Sequence, residues 1–163
     1  MIFERIFKSF EEKKLRYAVI GGIAVNLHGY NRLTGDLDII ISLNSQNISK
    51  FIETIKELGL VPRLPVRIED FADDTIRDSW VGEKNMKVFS VYNPSSPLEH
   101  IDVKIDRPER IDFYLKNTEI MQAGDIRIVV VSFDDLITLK KEAGRERDLV
   151  DIRALERIKT LER

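Results

Sequence analysis

The chain has 163 residues, no cysteine, two histidines and a net charge of −2, with 43% hydrophobic and 33% charged residues. These totals describe one ordinary soluble globular domain and exclude disulfides, thiolate metal sites and a cysteine nucleophile. Two histidines are too few for a multi-histidine zinc site, so any metal must be held by oxygen, and the small negative charge gives no global pull toward nucleic acid.

In chain order, residues 2–14 place Ile2, Phe3, Ile6, Phe7 and Phe10 on one helical face, a candidate core or dimer surface. The mixture of charged and apolar residues there lacks the continuous apolar stretch of a signal peptide, which makes the cytoplasm the default location. Tyr17–Ile20 reads as a short buried strand ending at Gly21-Gly22, and Ile23–His28 as a short helix capped by Gly29. Asp36–Ser42 reads as a second strand, and Ser45 as the N-cap of a helix that runs through Leu58 and stops at Gly59. Pro62 and Pro65 argue for a loop or edge segment, and Ile68–Asn85 is ambiguous, with a helix leading into a turn as one reading.

Lys87–Tyr92 and Leu98–Ile105 read as a hairpin around Asn93-Pro94-Ser95-Ser96-Pro97, with a loop beginning at Arg107-Pro108. Ile126–Val131 is a further strand, taken as apolar on both faces. Ser132 with Asp135 offers a capped start to a helix that Gly144 ends, and the last helix, Arg145–Leu161, should bury Leu149, Ile152, Leu155 and Ile158. No apolar run is long enough to cross a bilayer. The expected fold class is α/β (α+β): a mixed β-sheet flanked by helices with a C-terminal helical cap. It should form a single domain over 1–163, with a core at about 15–131 and closing helices at 133–161.

Strand residues two apart point to one face, so Asp36 and Asp38 should share one. Adjacent carboxylates repel unless a cation lies between them, and the nearby diglycine leaves the backbone bare enough to approach a phosphate. A site for two divalent cations needs at least a third carboxylate. Asp102, flanked by Ile101 and Val103 on a strand, is favoured; Asp106, at the end of that run, is the competitor.

Gly21-Gly22, Asp36-Leu37-Asp38 and a later lone strand aspartate together resemble the nucleotidyltransferase superfamily that includes DNA polymerase β. The fuller string with Ala24, His28-Gly29, Arg32 and Thr34 is similar to small bacterial and archaeal members, among them antibiotic nucleotidyltransferases and abortive-infection toxins. Asp135–Lys140, Ala143-Gly144-Arg145 and Asp148 look like that group's closing helices. The resemblance touches residues 17–42, 98–106 and 130–158 and leaves 60–97 uncovered.

It implies that Asp36, Asp38 and Asp102 hold Mg2+ or Mn2+, and that Gly21 and Gly22 cradle the triphosphate of a nucleoside triphosphate substrate. Arg32, Thr34 and Lys140 would assist at the phosphates, and Asp102 would take the proton of an attacking hydroxyl. The acceptor is open, with a large nucleic acid not favoured, no membrane partner, and a homodimer through the first helix as one option. Competing readings are a tight turn at the diglycine, solvated aspartates, a structural His28 and a solvated helical face carrying Lys140 and Arg145. A non-catalytic nucleotide-binding or toxin–antitoxin module on the same fold is the functional alternative. Gly-x-Gly-x-x-Gly, Walker, EF-hand and Gly-x-Ser-x-Gly patterns are all missing.

Overall fold

The computed structural model describes residues 2–162. Helix α1 (Glu4–Glu12) buries the stripe Ile6, Phe7 and Phe10 completely, while Ile2 lies outside the helix and is exposed. The chain reverses at Lys14 into strand β1 (Tyr17–Ile20), buried along its whole length. Helix α2 (Gly21–Leu27) begins on the first glycine with no intervening loop. Strand β2 (Leu37–Ile41) leads to helix α3 (Ser45–Glu57). Its N-cap is Asn44 rather than Ser45, because the Asn44 side chain accepts a hydrogen bond from the Asn47 amide at 2.9 Å.

Strand β3 (Val61–Pro62) is a two-residue edge. The ambiguous stretch after it folds as a 3-10 turn (Ile68–Ala72) and helix α4 (Asp74–Gly82), the latter capped by Asp73. Strands β4 (Val88–Asn93) and β5 (Ser96–Lys104) form the expected hairpin. Helix α5 (Pro108–Lys116) and strand β6 (Thr118–Ala123) stand where a loop was expected. Pro108 occupies the first helical turn, where its missing amide would have had no helical partner. Strand β7 (Ile126–Val131) is not apolar on both faces, since Arg127 is exposed and reaches Glu11 at 3.5 Å. Helices α6 (Phe133–Ala143) and α7 (Glu146–Leu161) follow, with Ser132 capping α6 and Gly144 turning the chain between them. On α7 Ile152 and Leu155 are buried as expected, but Leu149 is 46% exposed.

The seven strands form one sheet in the order β3-β4-β5-β2-β1-β7-β6. β1 pairs antiparallel with β2 and parallel with β7, and β2 pairs parallel with β5. Paired residues share a face, so the register sorts the two sides. Tyr17, Val19, Ile39, Ile41, Val103 and Phe89 lie on one. Helix α1 covers its β1 end, with the Phe7 and Phe10 rings centred 6.4 and 4.8 Å from Tyr17. The rings of Phe51, Phe71, Phe89 and Trp80 cover the β4 end, successive centroids 5.4, 5.0 and 5.1 Å apart. The aromatic face of α1 is therefore core and not available as a dimer surface.

The other face is covered over β1 and β2, where Ala18, Ile20 and Ile40 are buried, and bare over β4 and β5. On those two strands Phe89, Val91, Ile101 and Val103 are buried, whereas Ser90, Tyr92, His100, Asp102 and Lys104 are only half-buried and Val88 is exposed. An antiparallel pair with one solvated face shows this alternation. Among the described residues no helix is long and apolar enough to cross a membrane.

Candidate active site

Where the covered part of that face meets the bare part, four residues align across the sheet. Ile20 of β1 pairs with Asp38 of β2, Asp38 with Asp102 of β5, and Asp102 with Ser90 of β4. Asp38 and Asp102 are thus side by side on adjacent parallel strands. Asp106 lies past the end of β5 and is held by Lys104 Nζ at 2.5 Å, so Asp102 is the acid set against Asp38. Asp36 precedes the strand rather than belonging to it, and its Oδ1 lies 3.0 Å from His100 Nε2.

The diglycine closes over Asp38. Gly21 has φ of +68°, and a Cβ there would stand 2.2 Å from Asp38 Oδ2. A Cβ on Gly22 would stand 2.5 Å from Thr34 Oγ1 and 2.8 Å from Arg32 Nη2. Only glycine lets the backbone approach these side chains so closely, which answers why two are needed in succession. The loop that carries Arg32 and Thr34 is fixed by Asn26, whose side-chain amide donates to the Arg32 carbonyl at 2.9 Å and accepts from the Arg32 amide at 3.1 Å. Gly21, Gly22, Arg32, Thr34, Asp38 and Asp102 are therefore brought together.

Lys140 is not presented to the site as a free ammonium. It is 3% exposed, and its Nζ donates to Asp148 Oδ1 at 3.0 Å and to Asp151 Oδ2 at 2.7 Å. Arg32 converges on the same acid, with Nε 2.9 Å from Asp151 Oδ1, an ion pair that lacks hydrogen-bond alignment. Arg145 closes the cluster with Nε 2.7 Å from Asp148 Oδ2, its side chain 58% exposed. The solvated reading of Lys140 thus fails on burial, and for Arg145 it holds in part. His28 is structural: Nε2 lies 2.9 Å from the Val131 carbonyl, and the ring meets Phe133 edge-on.

Burial pushes the Asp38 carboxyl up to about 6, and the charges of Asp102 and then Asp36 push the same way, against the pull of Arg145 and Lys140. The donor chemistry fits a hard divalent cation, since the acids are oxygen ligands whose mutual repulsion such an ion relieves. Among the described residues, however, no three carboxylate or imidazole groups converge on one point as the side chains lie. Asp36, turned to His100, is the acid outside the Asp38–Asp102 pair.

Three residues of this site carried no weight in the sequence: Ser90, His100 and Asp151. The register of the β4–β5 hairpin puts Ser90 opposite Asp102, and Asp151 falls one helical turn after Asp148 on the stripe that also holds Ile152 and Leu155.

No curated protein matches the chain. The crystal structure of the lincosamide antibiotic adenylyltransferase LnuA, lincomycin-bound, has the same fold, with a TM-score of 0.60 and 18% identity over 93% of this chain and 92% of that one. An antigenic nucleotidyltransferase-like protein from Paracoccidioides brasiliensis matches with a TM-score of 0.60 and 13% identity over 94% of this chain and 73% of the other. A family model described as "Nucleotidyl transferase AbiEii toxin, Type IV TA system" matches residues 2–163, and the chain belongs to that nucleotidyl transferase family.

Proposed function

We propose that this chain is a metal-dependent nucleotidyltransferase that moves a nucleoside monophosphate from a nucleoside triphosphate to a hydroxyl acceptor and releases pyrophosphate. The observation that carries it is the in-register pair Asp38–Asp102 beneath the Gly21 backbone. Membership of the family supports the reaction class.

In this reading Asp38 and Asp102, joined by Asp36, hold Mg2+ or Mn2+, which supplies charge neutralisation and polarises phosphoryl oxygens when bound. The Gly21-Gly22 backbone lies along the triphosphate, with Thr34 and Arg32 beside it. Asp102 orients the acceptor hydroxyl and takes its proton as the acceptor oxygen bonds to the α-phosphorus. The bond from that phosphorus to the bridging oxygen breaks, and pyrophosphate leaves. Lys140 acts from beneath as a fixed charge rather than as a phosphate ligand, and Arg145, the more exposed cation, faces the nucleotide side. The closing helices 133–161 and the core 15–131 work as one domain, in the cytoplasm.

Pyrophosphate release with each of the four ribonucleoside triphosphates, with Mg2+ or Mn2+ and a panel of hydroxyl acceptors, tests this reading. Asp38→Asn and Asp102→Asn should each remove metal-dependent nucleotide binding and turnover; unchanged binding and release in both variants would sink it. The commitment of Arg32 and Lys140 to Asp151 favours one alternative, a nucleotide-binding or toxin–antitoxin module without turnover. Tight triphosphate binding with no pyrophosphate released across acceptors would select that alternative.

A further inference from the structure

Each outer carboxylate of the site has one oxygen tied down by a side chain from the bare part of the sheet. Ser90 Oγ donates to Asp102 Oδ1 at 2.5 Å, straight across the β4–β5 ladder. His100 Nε2 meets Asp36 Oδ1 at 3.0 Å. Against a carboxylate Nε2 carries the proton, and Nδ1 is buried with no partner. The two donors are neighbours in the fold, because Ser90 and His100 flank the same ladder and share a face with Asp102.

We infer that Ser90 and His100 are positioning residues for the metal-binding acids, fixing Asp102 and Asp36 through their Oδ1 atoms and leaving each Oδ2 for the cation. This rests on the metal-dependent reading above. A free carboxylate on a half-open surface samples many rotamers, and the cation must halt that motion in order to bind. A carboxylate already held through one oxygen presents the other at a lower entropic cost, which is why outer hydrogen bonds to ligands typically change metal affinity about 10- to 100-fold.

The test uses Mn2+ alone, with no nucleotide, titrated into the full chain and followed by the electron paramagnetic resonance of the free ion. Ser90→Ala and His100→Leu should each weaken Mn2+ binding roughly 10-fold, while Ser90→Thr and His100→Gln, which keep a donor, should stay close to the parent. Melting in EDTA shows whether each variant is folded. In turnover assays the loss should appear in the metal concentration for half-maximal rate and not in the KM for the triphosphate. The inference is overturned if Ser90→Ala and His100→Leu bind Mn2+ within about two-fold of the parent, or if the donor-keeping variants lose as much as the donor-less ones. It then fails alone if Asp38→Asn and Asp102→Asn still abolish binding. If the parent chain itself binds no Mn2+, both this inference and the metal-dependent reading fall.

Discussion

Asp38 should destabilise the metal-free protein at neutral pH, and replacing it by asparagine should therefore make the fold more stable while destroying its function. Its carboxyl titrates at about 6 in the folded chain against an ordinary value of 3.8. The causes are burial first, then the charges of Asp102 and Asp36. The folded state holds this proton more tightly than the unfolded state does, so the stability linked to it is fully present below about pH 4 and is lost as pH rises through 6. About two units correspond to about 3 kcal/mol at most.

Asp38→Asn keeps the shape and removes the charge. At pH 7.5 in EDTA it should raise the melting temperature by roughly 6–12 °C for a chain of this length. At pH 4, where the folded parent is protonated at this position, the two proteins should melt together. Millimolar Mn2+ should raise the parent and leave the variant unmoved, narrowing the gap. Calorimetric or circular-dichroism melts at the two pH values decide the matter. An asparagine variant that melts at or below the parent at pH 7.5, or a gap that persists at pH 4, refutes the electrostatic account.

Gly21→Ala should be far worse than Gly59→Ala: both glycines have a positive φ, but only the first directs a Cβ into Asp38, while the second meets nothing within 4 Å. Urea unfolding should show Gly59→Ala losing about 1 kcal/mol from backbone strain and Gly21→Ala more, with nucleotide binding lost as well. Lys140→Met leaves Asp148 and Asp151 without their shared buried cation, and urea unfolding at pH 7.5 should show a loss of about 3–5 kcal/mol. Asn44→Ala should cost about 1 kcal/mol by the loss of the α3 cap, whereas Ser45→Ala should be close to neutral in the same assay.

Much of this was legible in the sequence, and the failures have physical causes. The strands at Tyr17, Asp36 and Leu98 were readable because apolar runs bounded by glycine or proline have few other solutions. Asp102 ranks above Asp106 because it lies between two apolar strand residues, whereas Asp106 is followed by Arg107-Pro108. The segment 106–125 does not stand out in the sequence because Arg107-Pro108 reads as the start of a loop when Pro108 in fact starts a helix, and because the alternation of β6 is weak on an edge where most side chains meet water. Lys140 lies in a charged stretch that reads as facing phosphate or solvent. Sequence periodicity cannot show that two acids eight and eleven positions later fold back onto its ammonium, since that depends on the turn at Gly144.

The position of the acids on the sheet suits the chemistry proposed for them. Deeper under α2, which packs on β1 and β2, a pair of adjacent carboxylates would stay protonated and could not ligate a cation. Farther out over β4, both would be fully hydrated, with ordinary acidity and no preference for a bound ion over water. At the boundary Asp38 is half-buried against Gly21 while Asp102 opens onto the bare face with Ser90 and His100. One acid is strained enough to gain from a cation, and the other is open enough to meet an incoming hydroxyl. Arg145 and Lys140, pulling Asp38 back from still higher values, keep it ionisable near neutral pH. The closing helices thus moderate the charge state of a strand residue more than a hundred positions earlier, while burial and the neighbouring acids dominate it. For that reason a chain truncated before α6 should lose metal binding even if its sheet still forms. Titration of Mn2+ into residues 1–131 would check this, and affinity equal to that of the full chain would show that the helices contribute cover alone.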